Sequence, residues 1–125
     1  MPAIVLDTSA VIAIYLGEST AMWITAHMGR ADQLFMSTVN LAECLIILRL
    51  RDPKQADAHE QQLLTGSINF IAPDITQTKL AARARSVYPL NFGDCFAYAL
   101  AKSTGLPLLT LDADFRKSDI VVLSP

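Results

Sequence analysis

The sequence predicts an α/β fold in which helices cover a mostly parallel central sheet of about five strands. Two observations indicate this class. Short apolar runs that read as strands alternate with longer helical segments along the whole chain. The runs are continuously apolar, as expected for strands that are buried on both faces of a sheet. We therefore expect one α/β/α sandwich formed by residues 1–125 as a single domain.

Each predicted element is bounded by residues that favour a helix cap or a turn. In the first half, we predict strands at 3–6 and 34–36 and helices at 10–16, 20–29 and 39–51. In the second half, we predict helices at 53–66, 76–88 and 92–102 and strands at 69–72, 107–111 and 120–123. The expected N-caps are Ser37 or Thr38, Asp74 and Asn91, and Gly105 is expected to end the last helix.

The composition favours a folded cytoplasmic protein. With 52% hydrophobic residues, the chain has ample material for a core. The net charge of −2 argues against binding nucleic acid by bulk positive charge, so such a substrate requires a basic patch or a metal ion. No apolar run is long enough to span a membrane, and residues 1–16 lack the basic start of a secretory signal. Cys44 and Cys95 are expected to be buried, reduced thiols.

Asp94 lies where a helix is expected to begin. Asn91 can cap that helix, and Asp94, three positions later, can accept a hydrogen bond from the backbone of the cap residue. Its charge also complements the positive end of the helix dipole. Acids are common in first turns, so this pattern alone favours a structural role.

Glu43 lies among apolar residues in the predicted helix 39–51. Positions 39, 43, 46, 47 and 50 fall on one stripe and are Val, Glu, Ile, Ile and Leu. A carboxylate on a buried stripe needs a cationic partner, a proton or a metal ion, because a bare buried charge is costly. The alternative is a Glu43 at the edge of the stripe that pairs with Arg49 or with a neighbouring helix.

Asp7 and Asp112 each follow an apolar run. If both runs are parallel strands, both acids lie at carboxyl ends, where α/β sheets bind their ligands. Turn or cap residues are the alternative for each acid separately. Four carboxylates about 5 Å apart would repel by roughly 3 kcal/mol per pair at an effective dielectric constant of about 20. Such a cluster needs a hard cation, Mg²⁺ or Mn²⁺, and that chemistry suits phosphodiester hydrolysis.

Four segments carry a family resemblance: VLDTSA at 5–10, LAE at 41–43, NFGDCFAYALA at 91–101 and PLLTLDADF at 107–115. In this order the chain resembles a PIN domain, specifically a VapC-type toxin. The resemblance covers the whole chain and implies a PIN-domain-like sandwich with metal-dependent endoribonuclease activity. It also implies a homodimer, an inhibitory VapB-type antitoxin, and contact with operator DNA only through that antitoxin.

The resemblance further implies that Asp7, Glu43, Asp94 and Asp112 form the acidic catalytic site. Asp7 and Asp94 would hold the principal Mg²⁺ (or Mn²⁺), while Glu43 and Asp112 complete its surroundings through water or help to bind a second ion. Asp114 is the alternative fourth acid or a supporting one.

Several other residues have both functional and structural interpretations. Thr8, Ser9 and Thr110 can orient metal ligands or the scissile phosphate, and each is equally suited to a turn or cap. Arg83 and Arg85, on the helix before Asp94, can contact the RNA backbone or form an ordinary solvated face.

Two other functions remain as alternatives. The first is a catalytically idle PIN-like module that only binds a protein partner. The second is an aspartate-based phosphatase, since Asp7 ends the first strand. That chemistry calls for a second acid two residues later, where Ser9 stands, and for a lysine after a later strand, which is not evident.

Overall fold

The computed structural model describes residues 2–125, which form an alternating series of strands and helices. The strands are β1 (Ala3–Leu6), β2 (Gln33–Ser37), β3 (Ile68–Ile71), β4 (Leu108–Leu109) and β5 (Val122–Leu123). The helices are α1 (Thr8–Tyr15), α2 (Ala21–Gly29), α3 (Thr38–Arg51), α4 (Ala56–Thr65), α5 (Ile75–Val87) and α6 (Phe92–Thr104). A short 3₁₀ helix, Ala113–Lys117, precedes β5.

The strands form one sheet in the order β3-β2-β1-β4-β5, and every neighbouring pair is parallel. The predicted fold class is therefore confirmed, including an edge position for the last strand. Because β1 is central and its neighbours run in the same direction, the carboxyl ends of β1 and β4 lie side by side. This edge of the sheet receives the residues that follow both strands.

Two apolar clusters cover the two faces of the sheet. Ile4 and Leu6 of β1 belong to a cluster with residues of α1, α2, α3 and α4, whereas Val5 belongs to a cluster with α5 and α6. This alternation follows from the opposite orientation of successive side chains in a strand. All four residues of β1 are buried, which explains the continuous apolar run in the sequence.

The prediction for the buried face of α3 is wrong. The side chains that α3 buries fully are Asn40, Cys44 and Leu48, whereas Ile46 is 60% and Leu50 78% exposed. The reason is that α3 carries apolar residues on several sides, so their spacing alone does not identify the side that meets the sheet. Glu43 is accordingly half-buried at the edge of that interface.

Several element boundaries also differ from the predictions, by one to three residues. Helix α1 begins at Thr8, because the Asp7 side chain accepts a hydrogen bond from the backbone of Ala10 and caps the helix. Helix α4 begins at Ala56, and Pro53 lies in the preceding turn. Strand β4 contains only Leu108 and Leu109, so Asp112 follows the strand after two further residues.

The two cysteines are buried and free, as predicted. Among the helices formed within residues 2–125, none is both long and apolar enough to cross a membrane.

Gly105 ends α6 in the left-handed conformation, with φ at 70°. Replacement by alanine is expected to lower the free energy of unfolding by roughly 1 kcal/mol, because a Cβ disfavours this conformation. Gly29, at the end of α2, has no positive φ and no heavy atom within 4 Å of an added Cβ, so Gly29→Ala is the matched control. Urea denaturation of the two variants checks the expectation, and equal stability would contradict it.

Candidate active site

A cavity of about 420 Å³ opens at the carboxyl edge of β1. The four acids that the sequence singled out all line it: Asp7, Glu43, Asp94 and Asp112. The other lining residues are Thr8, Ser9, Ile12, Glu18, Ile47, Asn91 and Leu111. Residues from four separate parts of the chain thus meet at one surface opening.

Asp7 is the most buried of these acids, with 2% of its surface exposed. Its carboxylate accepts hydrogen bonds from Ser9 Oγ at 2.7 Å, from Thr110 Oγ1 at 2.8 Å and from the backbone of Ala10 at 3.3 Å. Burial nevertheless raises the pKa of Asp7 to about 7, because these bonds do not offset the lost hydration, and the nearby negative charge of Asp94 adds to the rise. The fold therefore holds a carboxylate whose charged form lacks compensation.

Ser9 and Thr110 connect the segments that follow β1 and β4. Besides contacting Asp7, Thr110 Oγ1 accepts a hydrogen bond from the backbone of Asp112 at 2.9 Å. Ser9 Oγ likewise accepts one from the backbone of Leu111 at 3.0 Å. The two hydroxyls thereby fix the position of Asp7 relative to Asp112.

Asp94 occupies the first turn of α6, and the predicted capping box is confirmed. Asn91 Oδ1 accepts a hydrogen bond from the Asp94 backbone at 2.8 Å, and Asp94 Oδ2 accepts one from the Asn91 backbone at 3.3 Å. Partial burial raises the pKa of Asp94 to about 6, and the nearby charges of Asp112 and Glu43 add to the rise. The cap therefore holds the carboxylate in a fixed place beside other acids.

Glu43 reaches the cavity from α3 and is held by two donors. Thr8 Oγ1 donates to Glu43 Oε1 at 2.7 Å, and Asn40 Nδ2 donates to the same oxygen at 2.9 Å. The sequence did not identify Asn40, which is buried, nor Gly93, whose carbonyl oxygen accepts a second bond from Asn40 Nδ2 at 3.0 Å. Glycine has a low helix propensity, so its presence in the first turn of a predicted helix could have indicated a special role for Gly93.

The remaining residues that the sequence singled out lie around this cavity or away from it. Asp112 Oδ1 accepts a hydrogen bond from the backbone of Asp114, and the side chain of Asp114 lies 3.6 Å from Lys117 Nζ. Asp114 is not among the lining residues, although its charge contributes to the raised pKa of Asp94. Arg85 lines a separate cavity between α5 and α6.

Glu18 is a further acid at the cavity that the sequence did not single out. It follows the turn at Gly17 between α1 and α2 and is exposed. Nothing in the sequence around Glu18 distinguishes it from an ordinary turn residue.

The charge of the four acids is not balanced by neighbouring cations. None of the ion pairs formed within residues 2–125 includes one of them. Across the same residues, no three histidine, cysteine, aspartate or glutamate side chains are close enough to hold one metal ion directly. Mg²⁺ retains several waters and commonly takes only one or two carboxylates directly. The all-oxygen donor set therefore fits a hydrated divalent ion, with some of the acids reached through water.

Comparison with known protein sequences identifies the family of this chain. The PIN domain family profile matches residues 4–121. Ribonuclease VapC42 of Mycobacterium tuberculosis is 36% identical over 125 residues, which cover 93% of this chain and 95% of the relative. Ribonuclease VapC of Mycolicibacterium smegmatis is 32% identical over 127 residues, covering 95% of this chain and 98% of the relative.

Among solved structures, VapC20 of Mycobacterium tuberculosis, a toxin that cleaves the sarcin-ricin loop, superposes with a TM-score of 0.83. The alignment covers 98% of this chain and 99% of VapC20 at 17% identity, so it bears on the fold alone. DNA-bound VapBC of Salmonella typhimurium gives a TM-score of 0.79 at 17% identity, covering 99% and 98% of the two chains. From the family profile and the relatives above 30% identity, this chain belongs to the PIN-domain family, among its VapC ribonucleases.

Proposed function

We propose that this protein is a metal-dependent endoribonuclease and the toxin of a VapBC-type toxin-antitoxin pair. The observation that carries the proposal is the convergence of Asp7, Glu43, Asp94 and Asp112 on one open cavity without cationic partners. Such a cluster of carboxylates destabilises a folded chain unless a cation or substrate compensates its negative charge. Relatives that are named ribonucleases support RNA as the substrate.

In this proposal, Asp7 and Asp94 hold Mg²⁺ or Mn²⁺, since these two acids carry the least compensated charge in the cavity. A bound divalent ion would supply positive charge for the scissile phosphate and lower the pKa of water. Glu43 and Asp112 accept hydrogen bonds from water and orient it. Thr8, Ser9 and Thr110 keep the carboxylates in place through the hydrogen bonds described above.

The proposed reaction is hydrolysis of an RNA phosphodiester. Water attacks phosphorus in line with the leaving oxygen, the new phosphorus–oxygen bond forms as the bond to the 3′ oxygen breaks, and a proton from bulk water passes to that oxygen. The products carry a 5′-phosphate and a 3′-hydroxyl. In this proposal, the carboxylates of Glu43 and Asp112 accept the proton that the attacking water loses.

Sequencing the 5′ ends of RNA treated with the purified protein tests this proposal. We expect discrete new ends that carry 5′-phosphates with Mg²⁺ or Mn²⁺ and none with EDTA. Absence of cleavage with either metal ion would instead support the catalytically idle module. A trapped aspartyl-phosphate on Asp7 would support the phosphatase, which the cavity does not favour, because no lysine lines it within residues 2–125.

We further propose a VapB-type antitoxin partner and a homodimer in the cytoplasm, with operator DNA contacted only through the antitoxin. Solved neighbours that are toxin-antitoxin complexes, several of them bound to DNA, support the antitoxin. A small gene directly upstream, encoding a DNA-binding peptide that co-purifies with this chain, would be the simplest test of the partner. Sedimentation of the free protein tests the dimer.

Arg83 and Arg85 are proposed contacts to the RNA backbone. Replacing both with glutamine is expected to weaken RNA binding. The slope of the logarithm of the binding constant against the logarithm of the salt concentration should become shallower by about 0.7 per lost phosphate contact. The matched control replaces Arg51 and Lys54, two exposed cations at the end of α3 and just beyond it, on the other face of the sheet. Filter-binding titrations at several salt concentrations measure both slopes. Equal slopes for the two double variants would assign Arg83 and Arg85 to an ordinary solvated face.

A further inference from the structure

We propose that Asn40 and Gly93 are positioning residues that fix the carboxylate of Glu43 at the metal cavity. The inference rests on the proposed function and extends it to two residues that do not themselves line the cavity. It follows from the contacts by which α3 and the first turn of α6 hold Glu43 between them.

Asn40 is committed to two acceptors. Its Nδ2 donates to Glu43 Oε1 at 2.9 Å and to the Gly93 carbonyl oxygen at 3.0 Å. Because both partners only accept, the orientation of the amide is determined by its contacts. This orientation leaves Asn40 Oδ1 buried without a hydrogen-bond partner within residues 2–125. An unpaired buried oxygen is unfavourable, so holding these two partners is the feature that accounts for an amide here.

Gly93 provides the space that Glu43 occupies. A Cβ at position 93 would lie 2.1 Å from Glu43 Oε2 and 2.3 Å from its Cδ, far inside van der Waals contact. The carboxylate is the flexible end of a side chain and would move away more readily than the helix. Alanine at position 93 would therefore displace the carboxylate while leaving α6 intact.

The two carboxylate oxygens of Glu43 have different surroundings. Thr8 and Asn40 both donate to Oε1, so this oxygen is held by protein contacts. Oε2 keeps its lone pairs available for water or a metal ion. Asn40 connects this arrangement to the backbone of Gly93, which directly precedes Asp94. The contact therefore sets the position of one acid relative to another across two helices.

Mn²⁺ binding to the metal-free protein tests the proposal by a double-mutant cycle. Gly93→Ala and Asn40→Leu are each expected to weaken Mn²⁺ binding about 10- to 100-fold, the usual effect of losing a group that orients a metal ligand. In the Glu43→Ala background, neither change should weaken binding further, because the carboxylate on which both act is gone. Equal weakening in both backgrounds, or none in the native background, would overturn the proposal.

The matched control is Gln77→Leu. Gln77 is also a buried amide with an unpaired oxygen, but it lies on α5 and does not line the cavity. We expect Asn40→Leu and Gln77→Leu to shift the unfolding temperature similarly, and only Asn40→Leu to lower kcat, with KM for RNA unchanged. Equal loss of kcat in both variants would show a merely structural role.

A crystal structure of the metal-free Gly93→Ala variant separates this inference from the proposed activity. We expect Glu43 Oε1 to lie beyond hydrogen-bonding distance of Thr8 Oγ1. A carboxylate that stays in place would overturn the inference even if the protein cleaves RNA. If the carboxylate is displaced but the native sequence itself cleaves no RNA, the inference stands and the proposed function is overturned.

Discussion

Asp94→Asn is expected to lower metal-dependent RNA cleavage by on the order of 10³-fold while leaving the fold intact. Loss of one preorganised charge-stabilising group at a reacting centre commonly costs this much. The fold should survive because the asparagine oxygen can still accept the hydrogen bond from the Asn91 backbone, so the capping box is kept. Cleavage rates and the thermal unfolding of both proteins measure the two effects.

Asp74→Asn is the matched control for that experiment. Asp74 is likewise an acid at the start of a helix, where it accepts a hydrogen bond from the backbone of Gln77 at 2.8 Å. It does not line the acidic cavity. We expect full activity from this variant, so a comparable loss in both would reduce the role of Asp94 to helix capping. Retained cleavage in Asp94→Asn would remove it from the proposed site.

The metal-free protein is expected to lose stability as the pH rises from about 4 to 7. The pKa of Asp7 is about 7 in the fold, whereas an unfolded aspartate titrates near 3.9. Between these values the native state binds more protons than the unfolded state, so the free energy of unfolding falls as the pH rises. The full contribution of protonated Asp7 to the free energy of unfolding is present below about pH 4, and it is lost as the pH rises to about 7. It amounts to something on the order of 4 kcal/mol. The raised pKa of Asp94 acts in the same direction up to about pH 6.

Urea denaturation in EDTA across pH 4–8 measures this loss, with Asp7→Asn as the comparison. The variant lacks the titrating group, so its stability relative to the native sequence should increase through this pH range. Adding Mg²⁺ should restore stability to the native sequence at pH 7, because a ligand that binds only the folded state stabilises it. Parallel pH profiles for the two proteins would show that Asp7 is not held in an unfavourable charged state.

Much of this fold could be predicted from local patterns. The buried run Ala3–Leu6 and the caps at Ser37, Asp74 and Asn91 are short-range features, because the residues that determine them are adjacent in the sequence. The meeting of Asp7 and Asp112 at one edge followed from a general property of parallel sheets. The strand order agrees with that expectation, and Asp7 and Asp112 do line one cavity.

The contacts between helices could not be predicted in this way. Which side of α3 meets the sheet depends on tertiary packing. Asn40 is buried and Leu50 is exposed on this helix, which is the reverse of what their polarity predicts. The apolar stripe that contains Glu43 is not the buried face of α3, contrary to the prediction, although Glu43 does line the cavity. The role of Gly93 depends on the approach of a side chain from a helix about fifty residues earlier, which no local pattern encodes.

Direct Mn²⁺ binding to the metal-free protein tests the central claim that the acidic cavity is a divalent-cation site. Electron paramagnetic resonance of free Mn²⁺ during a titration gives the stoichiometry and the dissociation constant without any RNA. We expect saturable binding by the native sequence and by Asp74→Asn, and strongly weakened binding by Asp7→Asn and by Asp94→Asn. Binding that is absent from the native sequence, or unchanged in both cavity variants, would contradict the claim.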